Sequence, residues 1–284
     1  MASQQQSLGS VSDIHDEILD LERRLHDAKQ RLNTAQSELS SSPSSKGPHL
    51  APSTHFLLLL SDSALPLGSF AFSSGLESYL SHNGRSATFA AFLPASLSSF
   101  AATTLPFVLA AHRRPDDLAA LDDQLDAAII CTVGRRASVA QGRALLGIWE
   151  RSFRASQPGV DERVLREFAT LLREESKNEV PLVSAHLAPL FGAICSIVGL
   201  GLRQTAYVFM LSHVKALISA AVRASVFGPY QAQKVLAGQN VQRMIDDMID
   251  REWDTPVEEA GQTVPVMDLW FGRHETLYSR IFNS

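Results

Sequence analysis

Apolar side chains recur at helical spacing almost without interruption between Phe56 and Trp253, and no run rich in Val, Ile and Thr alternates to compete with them. That periodicity leaves one fold class, an all-α, single helical-bundle domain of about eight to ten helices joined by short turns. The spacing predicts an apolar helix turn at Phe56–Leu60 that ends near Pro66. A second helix, capped by Ser73 or Ser74, runs through Leu80 and stops at Asn83-Gly84. Residues 87–112 form a helix kinked or broken at Pro94 and Pro106. Further helices fit residues 116–131, 134–155, 161–176, 181–199, 203–226 and 229–252, with Pro229 after Gly228 in a first-turn position. The globular domain thus spans 52–253. Residues 254–284 read as an irregular connection, through 268, to a docking tail.

The tail is unusual for a chain end, where polar disorder is the rule. It carries Arg273, His274, Glu275 and Arg280 beside the bulky Leu277, Tyr278, Ile281 and Phe282. In a helix Leu277, Tyr278 and Ile281 would share one face. Such a segment is built to dock, on its own core or on a partner.

The other end differs. Residues 1–12 are polar and read as disordered. Within 13–39, Ile14, Ile18, Leu21, Leu25, Ala28, Leu32, Ala35 and Leu39 step alternately by four and three, a heptad seam flanked by charged and amide side chains. Both a coiled-coil arm and a solvated amphipathic helix fit this pattern. Residues 40–51, rich in Ser and Pro, form a linker.

With 284 residues and 45% hydrophobic content, the chain can bury one substantial core or two smaller ones. Its formal net charge of -5 supplies no global attraction to nucleic acid or anionic membrane. The first fifteen residues lack the basic and apolar regions of a secretory signal. Cys131 and Cys195 lie far apart in apolar stretches and read as buried thiols of a reducing compartment, so the expected location is cytoplasmic. Residues 86–111 and 180–202 are long and nearly uncharged, which makes a small membrane protein a rival reading. Their serines, threonines and prolines suit close packing in a soluble bundle better.

No catalytic or metal constellation emerges. The chain has no GxxxxGK[ST], no GxGxxG after a strand and no HExxH. His82, His112, His186, His213 and His274 read as structural, with a transient ligand role as the alternative for each, and the carboxylates of Asp122, Asp123, Asp126, Asp246, Asp247 and Asp250 as solvated surface. Ser212 and Lys215 have the SxxK spacing of some acyl-serine enzymes, one helical turn apart, which leaves a serine hydrolase as a second rival.

The stretch SDSALPLGSFAFSSGLESYL, from Ser61 to Leu80, is richer. Pro66 and Gly68 set a turn, and Phe70, Phe72 and Leu76 require burial. Asp62 and Glu77 border an otherwise uncharged loop. This stretch resembles the signature of the urease accessory protein F (UreF) family. RRASVAQGRAL (135–145), HLAPLFGAICSIVGLG (186–201) with ALISAAVRASVFGPYQAQKVL (216–236), and the terminal RHETLYSRIFNS agree in the same order. Ala185 stands where the family often has glycine before the histidine, Ser69 replaces a second glycine, and Asn283 occupies a frequently basic position.

The resemblance implies a dimeric, non-enzymatic, all-α protein of urease maturation, with no stably bound cofactor. Members assemble with the UreD/UreH accessory protein and the GTPase UreG on apo-urease, coupling GTP turnover to nickel insertion while nickel is handled transiently. The tail is implied to order when UreD/UreH binds. Carried over by matching position, Arg280 would organise the tail and the GTPase-binding surface, with Arg273, His274, Glu275, Tyr278 and Phe282 beside it. Asp62, Glu77 and Tyr79 would lie at an inter-subunit or partner surface.

Overall fold

The bundle is organised around one long helix, α4 (Phe89–Arg113), in a computed structural model that describes residues 18–25, 27–29, 51–157, 159–179 and 181–283. Thr88 caps it, accepting the Ala91 amide at 3.3 Å. Neither proline breaks it. Pro106 cannot bond the carbonyl of Ala102, but Gly261 of the distant connecting segment donates to that oxygen at 3.1 Å. A tertiary bond therefore completes the ladder and ties residues 254–265 to the core.

Around α4 lie α2 (Pro52–Ser61), α3 (Leu76–Asn83), α5 (Leu118–Ala128), α6 (Thr132–Ile148), α7 (Arg163–Glu175), α8 (Leu187–Ile197), α9 (Leu202–Arg223), α10 (Pro229–Leu236) and α11 (Gln239–Glu252). α8, α9 and α11 pack directly on α4, and α6 packs on α8. Gly192 permits the closest approach. A Cβ there would stand 2.2 Å from the Val108 carbonyl oxygen, so α4 and α8 touch backbone to backbone. The domain is all-α, with no strand among the described residues.

Helices α4 and α9 are long and apolar enough to cross a membrane, but most of each is buried inside the bundle. Among the described residues of the stretch 180–202 there is no helix of span length: α8 has 11 residues, roughly 16 Å at the helical rise, where a span needs about 20 residues.

Four expectations change. The helix expected over 229–252 divides at Gly238, whose extended backbone caps α11. The helix expected from 181 begins at Leu187, because Ala185 sits at φ 69° and a buried carboxylate holds the preceding turn. Asp122 is that carboxylate, so it is not solvated surface. It accepts the amides of Ser184 (2.6 Å), Ala185 (3.0 Å) and His186 (2.6 Å). Finally, part of the supposed irregular connection is helical, as α12 (Val266–Arg273).

Residues 18–25 and 27–29 form α1, which belongs to a separate unit and has Ile18, Leu21 and Leu25 exposed. The rest of the heptad seam, residues 1–12 and residues 40–50 lie outside the described residues.

Candidate functional site

Glu77 is the hub of the C-terminal region. It lies in the first turn of α3 and is 7% exposed. The N-cap of α3 is Gly75 rather than the expected Ser73 or Ser74, and Ser73 Oγ, two residues earlier, accepts the Glu77 amide at 3.3 Å. The carboxylate accepts three hydrogen bonds from the tail. Ile281 N donates to Oε1 at 2.6 Å, Phe282 N to Oε2 at 3.2 Å, and the fully buried His274 to Oε2 through Nε2 at 2.9 Å. Sequence reasoning placed Glu77 on a partner surface. The fold puts it beneath the tail instead.

The remaining contacts complete a clasp. Asn283 N donates to the Ala71 carbonyl at 2.7 Å, joining the chain end to the 62–75 loop. Phe282 is buried, with the Arg223 guanidinium 4.3 Å from its ring centroid. Arg223 also donates to the Phe70 carbonyl. Gly75, at φ 82°, lets α12 approach, since a Cβ there would lie 3.1 Å from the Trp270 Cβ. Tyr79 packs between Phe92 and Trp270 and exchanges hydrogen bonds with the Thr88 backbone.

The tail is thus seated on its own domain in the single chain, whereas the resemblance implied ordering on partner binding. It is not a continuation of a helix. After the 3₁₀ turn His274–Thr276 the backbone extends, so Leu277, Tyr278 and Ile281 share no helical face. The inward residues are His274 and Phe282.

What faces outward is chemically distinct. Tyr278 is fully exposed, and Ile281 (64%) and Phe70 (68%) stand out on the two segments joined by the Asn283–Ala71 bond. Beside them Glu275 pairs with Arg136 and, at 3.3 Å, with Arg280. Arg136, then Arg280, hold the Glu275 carboxyl below the usual glutamate range. Arg273 lies on the exposed side of α12, its guanidinium 5.7 Å from the Trp270 ring. Of the nine residues singled out, Glu77 is bonded to His274 and to the Phe282 backbone, Glu275 pairs with Arg280 on the same tail as Tyr278, and Arg273 and Tyr79 meet at Trp270. Asp62 is exposed and accepts the Ala64 amide, and no hydrogen bond or ion pair among the described residues joins it to the tail. Arg136 and Arg223 were missed, although Arg136 stands in the RRASVAQGRAL segment.

The Ser212/Lys215 pairing is not formed. The Lys215 amine donates to the Ser61 carbonyl, where burial lowers its pKa below the usual lysine range. Among the described residues no group of three His, Cys, Asp or Glu side chains could hold a metal ion. The thiols of Cys131 and Cys195 are free, and burial pushes Cys195 up to about 12. His186 bridges Asp126 (2.7 Å) and Ser138 (3.0 Å), while Arg135 grips Asp126. These bonds fasten the start of α8 to α5 and α6.

His213 stacks on Phe100 and meets Ser96 at 3.1 Å, and burial pushes its imidazole down to about 3. A folded-state pKa below the unfolded value gives stability that is complete above about pH 6.5 and is lost as the pH falls toward 3. At pH 5 the loss reaches at most about 2 kcal/mol. Urea unfolding at pH 7 and 5 should therefore show a smaller pH-dependent loss for His213→Gln than for the unsubstituted chain.

Comparison with known proteins fits this architecture. The UreF family model matches residues 84–240, more than half of the chain. An uncharacterized urease accessory protein UreF-like of Schizosaccharomyces pombe is 38% identical over 234 residues, covering 81% of this chain and 97% of that protein. Urease accessory protein F of Oryza sativa subsp. indica is 35% identical over 227 residues, 78% of this chain and 82% of its own length. Urease accessory protein UreF of the bacterium Paenarthrobacter aurescens is 30% identical over 230 residues, covering 79% and 95%. With a helical bundle, a matching family model and relatives matched over 82–97% of their own lengths, this chain belongs to the UreF family of urease accessory proteins.

Proposed function

We propose that this protein is a non-catalytic, cytoplasmic scaffold of urease maturation. As a homodimer it brings a UreD/UreH-type accessory protein and a UreG-type GTPase onto apo-urease and couples GTP hydrolysis to nickel insertion. Nickel is cargo in this scheme and is handled transiently. The observation that carries the reading is the clasped tail, which presents Tyr278, Ile281 and Phe70 beside the Arg136–Glu275–Arg280 charges. Exposed aromatic and aliphatic groups rimmed by arginine match the composition of binding hot spots.

Arg280 is the residue to test, because its side chain is exposed and its ion pair is a screened surface contact. Arg280→Ala should melt within about 2 °C of the unsubstituted protein. Its recruitment of the GTPase should weaken about tenfold or more, and nickel-dependent urease activation should fall accordingly. Co-purification with the two accessory proteins and apo-urease, followed by nickel activation, measures both. Full activation by the variant would remove Arg280 from the interface.

A further inference from the structure

Beside the clasp lies a cavity of about 260 Å³, walled in part by Leu67, Phe72 and Ser74 of the 62–75 loop. One wall is a ladder of rings. Phe100 of α4 stacks on His213 of α9, with centroids 3.9 Å apart and planes 4° from parallel, and on Phe209 at 5.1 Å and 17°. Met267 and Phe271 of α12 also line it, so the helix leading into the tail closes part of the space. His213 is half-buried and lines the cavity. No lysine or arginine lines the cavity and its one charged lining residue is Asp268 of α12, so an anion would find no counter-charge and one carboxylate against it. Two lining residues, Ser99 and Ser212, have hydroxyls without a hydrogen-bond partner among the described residues.

We infer that this cavity is a binding site for an uncharged, planar aromatic or heteroaromatic molecule of about two fused rings. A dry apolar cavity of roughly 150 Å³ accepts benzene, and this one is larger. The flat ring ladder favours a flat guest in offset stacking. A single polar group on that guest would satisfy Ser99 or Ser212, since a hydroxyl can donate or accept. The exposed wall is mostly apolar with polar side chains set into it, as small-molecule sites are. Because α12 forms part of the wall, an occupant braces it. The cavity shares the loop and α12 with the clasp but none of Phe70, Arg136, Glu275, Tyr278, Arg280 or Ile281, so either reading can fail without the other.

The test uses the full-length protein with indole, a neutral two-ring probe carrying one N–H, and indole-3-carboxylate as its charged counterpart. Ligand-detected NMR should give saturable binding of indole with a Kd of about 0.1 mM. Intermolecular NOEs should reach the rings of Phe100 and His213, and amides of residues 266–273 should exchange more slowly. Indole-3-carboxylate should bind at least about tenfold more weakly, for want of a counter-charge. Ser212→Phe, which fills the space from α9, should abolish indole binding while retaining the helical circular dichroism. Absence of saturable binding, NOEs confined to other residues, equal affinity for the carboxylate, or unchanged binding by folded Ser212→Phe would each overturn the inference. Should Ser212→Phe not fold, the NOEs and the carboxylate comparison still decide it.

Discussion

Asp122→Ala is expected to remove about 4 kcal/mol of stability, a large share of the roughly 5–15 kcal/mol typical of a folded domain. The reason is the number of donors that depend on one side chain. Ser184, Ala185 and His186 all direct their amides at the Asp122 carboxylate, at 2.6–3.0 Å, and Asp122 has no solvent exposure. Alanine would leave three buried N–H groups unpaired, each costing about 1–3 kcal/mol if water cannot reach it. The turn they hold is already strained, since Ala185 occupies a left-handed conformation at φ 69°. Gly142 of α6 fits against the same turn, and a Cβ on it would lie 2.1 Å from the Ala185 carbonyl oxygen. Loss of the carboxylate therefore loosens the junction of α5, α6 and α8 together. Asp122→Asn should recover only part of the deficit, because its amide nitrogen would face a backbone donor. Urea unfolding should show the midpoint falling in the order Asp, Asn, Ala, with little change in slope. An alanine variant within about 1 kcal/mol of the unsubstituted chain would mean that water replaces the carboxylate.

Asp122 also marks the limit of reading this chain from its residues. The all-α class was legible because apolar spacing is a local property, and so was the uncharged α4. Asp122 stands next to Asp123 on a helix with polar flanks, so local pattern puts it in solvent. Only the arrival of residues 184–186, some sixty positions later in the chain, makes it an internal cap. The break expected at Pro106 fails for the same reason: the carbonyl it frees is satisfied by Gly261. Gly238 could have been weighted more heavily as a divider, since glycine is costly inside a helix. The functional end was half legible. The mixture of bulky apolar and charged residues in 273–283 pointed to docking, and Glu77 stood out as an acid beside an apolar loop. Their pairing did not follow from either segment, because a contact across some two hundred residues leaves no periodic trace. The Ala185 departure, noted as a missing family glycine, acquires its physical meaning only from the backbone angle.

Glu77→Ala should release the tail while leaving the helical bundle folded. Three donors converge on the carboxylate, and two of them are backbone amides, at Ile281 and Phe282, which no side-chain substitution in the tail can remove. Hydrogen bonds to a charged group contribute about 1.5–3 kcal/mol each, so their joint loss should exceed what the isolated Asn283–Ala71 bond and the Phe282 contact can offset. Hydrogen exchange at Ile281, Phe282 and Asn283 should accelerate by about a hundredfold or more, and trypsin should cleave after Arg280 and Arg273. Protection within α4, α8 and α9 should persist, because none of the lost bonds lies among those helices. Glu77→Gln tests the charge separately: its amide retains one acceptor and turns an N–H group toward donors, so it should also release the tail, though less completely. On the proposed function, both variants lose partner recruitment together with tail protection, whereas Arg280→Ala loses recruitment with protection intact. A tail that stays protected in Glu77→Ala would show that Phe282 and its arginine contact suffice to seat it. A released tail with full recruitment would instead show that the docked conformation is not the one partners select.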